Sequence, residues 1–185
     1  MKPKGIRKRK VIPQEDEDNY RINPEQVRQD KRTTIMIKNI PNKYDQTSLI
    51  EKINKSFLNK YDFFYLPIDF SNKCNMGYAF INFIDCSYIK QFYEEFHNQK
   101  WVQFNSEKVC LLYYARLQGY YELVQHFSHS SVMNQKDKRL KPIIIPQQQV
   151  AYIKQLIEIQ KQKEENKQQQ QKIPVSNNQL NTTNK

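Results

Sequence analysis

Two aromatic residues separated by one small residue are the feature of this sequence best suited to bind a ligand. Tyr78 and Phe80 flank Ala79 in the segment Met76–Phe83, which is rich in β-forming residues. Side chains alternate between the two faces of a strand, so both rings would lie on one face. Flat rings exposed on a sheet can stack on unpaired nucleobases, at about 1–3 kcal/mol for each base. The spacing therefore favours binding of single-stranded nucleic acid.

The same alternation selects the other residues of the candidate surface. The first strand would point Ile35, Ile37 and Ile40 inward and Met36 and Lys38 outward. On the second strand we expect Phe63 and Tyr65 outward and Phe64 and Leu66 inward. The fourth strand is apolar on both faces, and we expect Tyr113 outward. With basic residues for phosphates, the candidate nucleic-acid-binding residues are Met36, Lys38, Tyr65, Lys73, Tyr78, Phe80, Asn82, Tyr113 and Arg116.

Strand-like and helix-like segments alternate around these residues. The predicted strands are Thr33–Ile40, Tyr61–Asp69, Met76–Phe83 and Lys108–Ala115. Helical spacing of apolar residues follows Asp45 and again follows Asp85, and both aspartates are suited to cap a first turn. The order βαββαβ predicts an α+β, ferredoxin-like domain, with a four-stranded antiparallel sheet and two helices on one of its faces.

Charge and composition suggest four regions. Residues 1–30 are predicted to be a disordered charged arm, because a basic block is followed by an acidic one. The basic block is either a nuclear-import signal or a solvated tail. The domain would occupy residues 31–116, with a helical extension at 117–143. Residues 144–185 are predicted to be a partly helical, glutamine-rich, low-complexity tail with a short apolar stripe over 150–157.

The extension has its own apolar pattern. Leu117, Tyr120, Tyr121, Val124 and Phe127 follow helical spacing and predict a short third helix. A short helix is stable only when it packs on something. Two surfaces are open to it: the edge and back of the domain, or the open face of the sheet, where it would compete with a ligand. We expect an integral helix that leaves the rings at least partly accessible.

Composition excludes several classes of protein. The net charge of +11 favours an acidic partner such as nucleic acid. Three glycines, three histidines and three cysteines form neither a phosphate-binding glycine loop nor a metal-ligand pair. No acid, base and nucleophile come together, so we expect no enzyme, no cofactor and no metal. Residues 1–10 lack an apolar core and no apolar run approaches 18 residues, so we expect an intracellular, nuclear and/or cytoplasmic protein without a membrane span.

The segment Met76–Phe83 follows the octamer K/R-G-F/Y-G/A-F-V-x-F/Y of the RNA recognition motif, except that Met76 replaces the basic residue. Longer strings, including Lys38-Asn-Ile-Pro-Asn-Lys-Tyr44, Tyr65-Leu-Pro-Ile-Asp-Phe70 and Phe104-Asn-Ser-Glu-Lys-Val109, are also informative. Over about residues 31–143 the chain resembles the carboxy-terminal RNA recognition motif of the meiosis-regulator and terminal-ear-like family of fungi and plants. The resemblance implies an RNA-binding regulator, in some members of meiosis and in others of development.

Two functions remain open at this point. One is a module that binds single-stranded RNA through the open face of the sheet, as a post-transcriptional regulator. The other is a protein-interaction adaptor with weak or no RNA binding, whose partner would contact the 117–127 helix or the 150–157 stripe. Met36 on the sheet, where an aromatic residue is usual, supports the second reading.

Overall fold

The computed structural model describes the backbone of residues 18–171 and the side chains of residues 18–168. The chain divides into two compact units between Pro146 and Gln147. In the first unit the elements are α1 (Val27–Asp30), β1 (Thr34–Lys38), α2 (Gln46–Phe57), β2 (Tyr61–Tyr65), β3 (Ile68–Asp69), β4 (Cys74–Asn75), β5 (Tyr78–Phe83), α3 (Ser87–Phe96), β6 (Leu111–Tyr114), α4 (Tyr120–Ser128) and β7 (Ile143–Ile144). The second unit is described as one long helix, α5 (Gln147–Gln171).

Within the described residues, five strands form one antiparallel sheet in the order β6-β1-β5-β2-β7. The predicted βαββαβ arrangement is confirmed, but the sheet has one strand more than the four expected. The additional strand is β7, in which Ile143 lies opposite Phe64 and Ile144 opposite Phe63. A strand of two residues is too short to show a period-two pattern, so periodicity could not predict it.

The second predicted strand also differs in length. Tyr61–Asp69 was expected to be continuous, but β2 ends at Tyr65 and Ile68–Asp69 turns away to pair with β4. Pro67 lies between the two strands, and a proline has no N–H to continue the ladder of a central strand. Lys73 occupies the turn of this small hairpin with a positive φ of 54°.

Both predicted helices pack on the inner face of the sheet. Asp45 caps α2, since its carboxylate accepts the Ser48 backbone N–H at 2.8 Å while the Ser48 hydroxyl accepts the Asp45 N–H at 3.2 Å. The core holds the inward residues of all four predicted strands together with apolar residues of α2 and α3: Ile35, Ile37, Phe64, Leu66, Ala79, Ile81, Phe83, Leu112, Tyr114, Leu49, Ile53, Phe57, Ile89, Phe92 and Phe96. The opposite face of the sheet is therefore left for the candidate residues.

The end of the predicted arm is part of the domain. Ile22 and Val27 are buried in the core, and the Tyr114 N–H donates to the Tyr20 carbonyl at 2.8 Å along the edge of β6. The prediction of disorder through residue 30 is wrong for residues 18–30, because two isolated apolar residues in a charged stretch carry no periodic signal. Residues 1–17 of the arm lie outside the described residues, as do residues 172–185 of the tail.

Candidate nucleic-acid interface

The outer face of the sheet carries the predicted side chains in cross-strand rows. Met36 of β1 lies opposite Phe80 of β5 on one side and opposite Tyr113 of β6 on the other. One row further along, Lys38 lies opposite Tyr78. Tyr113 points away from the helices, as expected, because Leu112 and Tyr114 enter the core. Phe80, Met36 and Tyr113 thus form a continuous floor across three strands.

Helix α4 packs on this same face, over β2. Leu123 of α4 is 1% exposed and lies in a cluster with Phe63 and Tyr65. The Phe127 ring contacts both of those rings, with centroid distances of 5.5 Å to Phe63 and 4.9 Å to Tyr65. The helical extension therefore packs on the open face of the sheet, and it covers the part of that face over β2 rather than all of it.

Two residues just before α4 fix its path. The Gln118 amide oxygen accepts the backbone N–H groups of Thr33 and Thr34 at 3.1 and 2.9 Å, and its nitrogen donates to the Thr34 and Ala115 carbonyls. Gly119 follows with a φ of 86°, a conformation that favours glycine, and its N–H donates to the Thr34 hydroxyl. This clamp holds the residue before α4 at Thr34 of β1, and α4 itself packs on Phe63 and Tyr65 of β2.

A groove of about 500 Å³ remains between α4 and the uncovered part of the sheet. Met36, Phe80 and Tyr113 lie on its floor, and Leu123 and Phe127 line the side formed by α4. Tyr20, from the ordered end of the arm, lines it beside the edge strand β6. The remaining lining residues are Lys38, Tyr114, Arg116, Leu117 and His126.

Two basic residues reach this groove from opposite ends of β1. The Lys38 ammonium lies 4.2 Å from the centroid of the Tyr113 ring, and the Arg116 guanidinium lies 5.8 Å from that of Tyr20. Arg116 follows Ala115, whose N–H bonds to Thr34 at the start of β1, whereas Lys38 is the last residue of that strand. A bound anion could meet a positive charge at either end.

Tyr78 lies outside the lining of the groove. Its ring is half-exposed and stands edge-on to Phe80, with centroids 5.7 Å apart. Phe80 itself is partly buried against the cluster under α4. Phe80 therefore lines the groove, whereas Tyr78 lies beside the groove with its ring partly exposed.

The structure buries two of the predicted contact residues. Tyr65 is 5% exposed under Phe127, and burial raises the pKa of its hydroxyl. Asn82 is 3% exposed; its amide nitrogen donates to Asp62 at 2.7 Å and its oxygen accepts the Thr33 and Thr34 hydroxyls, both at 2.8 Å. Neither side chain is accessible to a ligand, so we correct their assignment to structural residues. Alternation gave the right face, but it did not reveal what covers that face.

Lys73 is exposed in the β3–β4 turn and does not line the groove. The predicted stripe on α4 was also shifted. Tyr121 is 75% exposed, and Leu123, which was not in the stripe, is the buried residue. Interpretation of the sequence therefore did not identify Leu123 as a buried residue, or Tyr20 and His126 as groove residues. Leu123 and Phe127 have the spacing of one helix face, a signal that could have been found, whereas nothing in the sequence marks Tyr20 or the Gln118 clamp.

Comparison with known protein families shows which family this chain belongs to. Residues 32–128, more than half of the 185, match the family described as RNA recognition motif 2. This chain belongs to the RNA recognition motif 2 family. The resemblance to the carboxy-terminal motif of the meiosis-regulator family is thereby confirmed, and the matched stretch ends at the last residue of α4.

The curated relatives are MEI2-like proteins of plants. Protein MEI2-like 2 of Oryza sativa subsp. japonica is 52% identical over 136 residues, which are 72% of this chain and 16% of that protein. Protein MEI2-like 1 of Arabidopsis thaliana is 55% identical over 116 residues, 63% of this chain and 13% of that protein. Among solved structures, the Sex-lethal RNA recognition domains 1 and 2 from Drosophila melanogaster align with a TM-score of 0.36 and 19% identity, over 45% of this chain and 50% of that one. The chain thus spans about a sixth or less of the length of the two MEI2-like relatives.

The described residues hold no group of three or more histidine, cysteine or carboxylate side chains that could bind a metal ion. Cys110 is 2% exposed, and burial raises its thiol pKa to about 12, which keeps it protonated and unreactive near neutral pH. No helix among the described residues is long and apolar enough to cross a membrane.

Proposed function

We propose that this RNA recognition motif binds single-stranded RNA in the groove between its sheet and α4. The observation that carries the proposal is the combination of an aromatic floor with basic residues at both ends. Phe80 and Tyr113 offer ring faces for bases, and Lys38 and Arg116 offer positive charge for phosphates. A duplex cannot present an unstacked base to such a floor, so the site favours single strands.

Tyr78 extends this site beyond the groove. Its half-exposed ring stands next to Phe80 and opposite Lys38, so it can stack the base adjacent to the one in the groove. Over β2 on the same face of the sheet, Phe63 and Tyr65 are covered by Phe127 and take no base. The stacking surface is therefore narrow and consists of the partly exposed rings of Tyr78, Phe80 and Tyr113.

The wider role follows the resemblance. The MEI2-like relatives and the family support an RNA-binding regulator, and we propose a post-transcriptional one, of meiosis or development, working in the nucleus and/or the cytoplasm. The matched stretch is a small part of each relative, so the role of the complete protein belongs to this proposal as well.

Fluorescence anisotropy with a labelled, mixed-sequence, single-stranded RNA octamer tests the binding function. We expect binding at micromolar concentration or tighter, weakened by salt, and at least tenfold weaker for a duplex of the same length. Tyr78→Ala should weaken it, and Tyr121→Ala on the exposed side of α4 should not. Absence of binding by the wild-type chain, or equal binding of single strand and duplex, would overturn the proposal.

The adaptor alternative has lost part of its support. The apolar side chains of α4 that were available for a partner contact the sheet instead. Co-purification from nuclease-treated cells tests what remains of it, the apolar stripe of α5. Partners that resist nuclease, together with no affinity for RNA, would favour the adaptor.

A further inference from the structure

The floor of the groove is wide enough for one base. Phe80, Met36 and Tyr113 lie on three adjacent strands, which are about 4.8 Å apart, so the floor spans roughly 10 Å. Phe127 limits it on the β2 side and Tyr20 beside β6. Its volume of about 500 Å³ lies within the range of pockets that enclose a small molecule. These limits suit a single nucleotide and exclude a row of stacked bases.

The described polar side chains that line this groove include two that can only donate hydrogen bonds and none that can only accept them. Among the described residues that line it there is no carboxylate and no amide side chain. Lys38 and Arg116 can only donate, while Tyr20, Tyr113 and His126 can both donate and accept. At the equivalent ring position guanine O6 and uracil O4 are keto oxygens, which accept, whereas adenine N6 and cytosine N4 are amino groups, which donate. The lining is therefore better matched to a keto base.

Lys38 is the donor best placed to meet the edge of such a base. Its ammonium lies over the Tyr113 ring at 4.2 Å, within the groove and beside the Met36 position. A base that stacks on Phe80 and extends over Met36 would bring its edge towards that ammonium. Arg116 is at the opposite end, near Tyr20, where it suits a phosphate.

We propose that the groove takes one unpaired keto base, guanine or uracil, and that Lys38 selects it through the keto oxygen. This inference rests on the proposed RNA-binding function and adds a specificity to it. It also separates the groove from Tyr78, because an open ring stacks on any base with little preference.

Five RNA octamers of equal charge test the selection. Each has cytosine at seven positions and a variable base X at the fifth, with X being uracil, guanine, inosine, adenine or cytosine. A single keto base can enter the groove in one register only. We expect the octamers with uracil, guanine or inosine to bind the full chain at least fivefold more tightly than those with adenine or cytosine. Inosine against adenine is the matched pair, since both have a purine ring and differ at the keto or amino group.

Lys38→Met should bring the inosine-to-adenine ratio below twofold, with an unchanged melting temperature. Lys73→Met is the matched control; it removes an exposed lysine outside the groove and should keep the ratio. Equal binding of all five octamers, or a ratio that Lys38→Met leaves intact, would overturn the selection by Lys38 while leaving RNA binding in place. If no octamer binds at all, the proposed function fails and the inference fails with it.

Discussion

Phe127 of α4 stands edge-on to Tyr65 of β2, with their ring centroids 4.9 Å apart. This contact divides the outer face of the sheet into a covered part over β2 and an open part over β1, β5 and β6. Because Tyr65 lies opposite Phe80 in the sheet, the border falls beside one of the two motif rings. The helix therefore shapes the groove, and the stability of the domain and the form of its site depend on the same contact.

Removing that contact should destabilise the domain. Phe127→Ala deletes a half-buried ring that packs on Phe63 and Tyr65, and we expect a loss of about 2 kcal/mol in the free energy of unfolding. Tyr121→Ala, which truncates an exposed ring on the same helix, should change it by less than about 0.5 kcal/mol. Urea denaturation measures both. Equal stability of the two variants would mean that α4 does not pack as described.

Tyr78→Ala should separate binding from folding. The ring lies outside both core clusters but is partly buried and contacts Phe80, so the free energy of unfolding should fall by no more than about 1 kcal/mol. Loss of one base stack, at about 1–3 kcal/mol, predicts a fall in RNA affinity of about fivefold to 150-fold. Anisotropy titration measures it. An unchanged affinity in the folded variant would remove Tyr78 from the site.

The sequence was sufficient for the elements whose pattern is periodic. Alternation placed Met36 and Phe80 on one face, and the cap at Asp45 marked the start of α2. The fourth strand is apolar on both faces, so its alternation did not decide the direction of Tyr113. It was insufficient where a single contact over a long stretch of chain decides the outcome. The Gln118 side chain bonds to the backbone N–H groups of Thr33 and Thr34, 85 and 84 positions earlier in the chain. No local sequence pattern predicts these hydrogen bonds.

The candidate site shows the same division. The two motif rings followed from the octamer, but Tyr65 and Asn82 were assigned to RNA because they share the outer face. That face is not uniformly open: Phe127 covers Tyr65, and a hydrogen-bond network encloses Asn82. Side-chain direction can be read from a strand, whereas its accessibility depends on segments that pack on it later in the chain.

Asn82 should behave as a structural residue. Asn82→Ala would leave Asp62 and the Thr33 and Thr34 hydroxyls without this partner in a buried position, at a cost of about 2–3 kcal/mol in the free energy of unfolding. Asn72→Ala, which removes only an exposed hydrogen bond from the amide nitrogen to the Asp69 carboxylate, is the control and should cost less than about 1 kcal/mol. RNA affinity per folded molecule should be unchanged in both. A stable Asn82 variant with weakened RNA binding would restore Asn82 to the site.

Salt should weaken RNA binding only moderately, because few phosphates are neutralised. Each neutralised phosphate contributes a slope of about −0.7 to log affinity against log salt for a single strand. If Arg116 neutralises one phosphate and Lys38 contacts the base edge, as proposed above, the slope should be about −0.7 and Lys38→Met should leave it unchanged. A slope of about −1.4 that becomes about 0.7 shallower in Lys38→Met would mean that Lys38 contacts a phosphate instead. A wild-type slope near zero would contradict electrostatic binding altogether.

Tyr114 should make the domain sensitive to alkaline pH. Its hydroxyl is buried without a hydrogen-bond partner among the described residues, and burial raises its pKa to about 12, against about 10 for an unfolded tyrosine. Because the folded state disfavours the phenolate, the stabilising contribution of the neutral form is complete below pH 10 and is lost as the pH rises from about 10 to 12.

Tyr114→Phe keeps the ring under the Arg32 guanidinium, 3.9 Å from its centroid, and removes the ionisable group. We expect this variant to match or exceed the wild type in urea denaturation at pH 7, since no hydrogen bond is lost, and to lose less stability than the wild type between pH 10 and 11.5. All other ionisable groups are the same in both proteins, so their effects cancel in the comparison. Parallel stability curves over that range would show that the Tyr114 hydroxyl ionises as freely in the folded state as in the unfolded one.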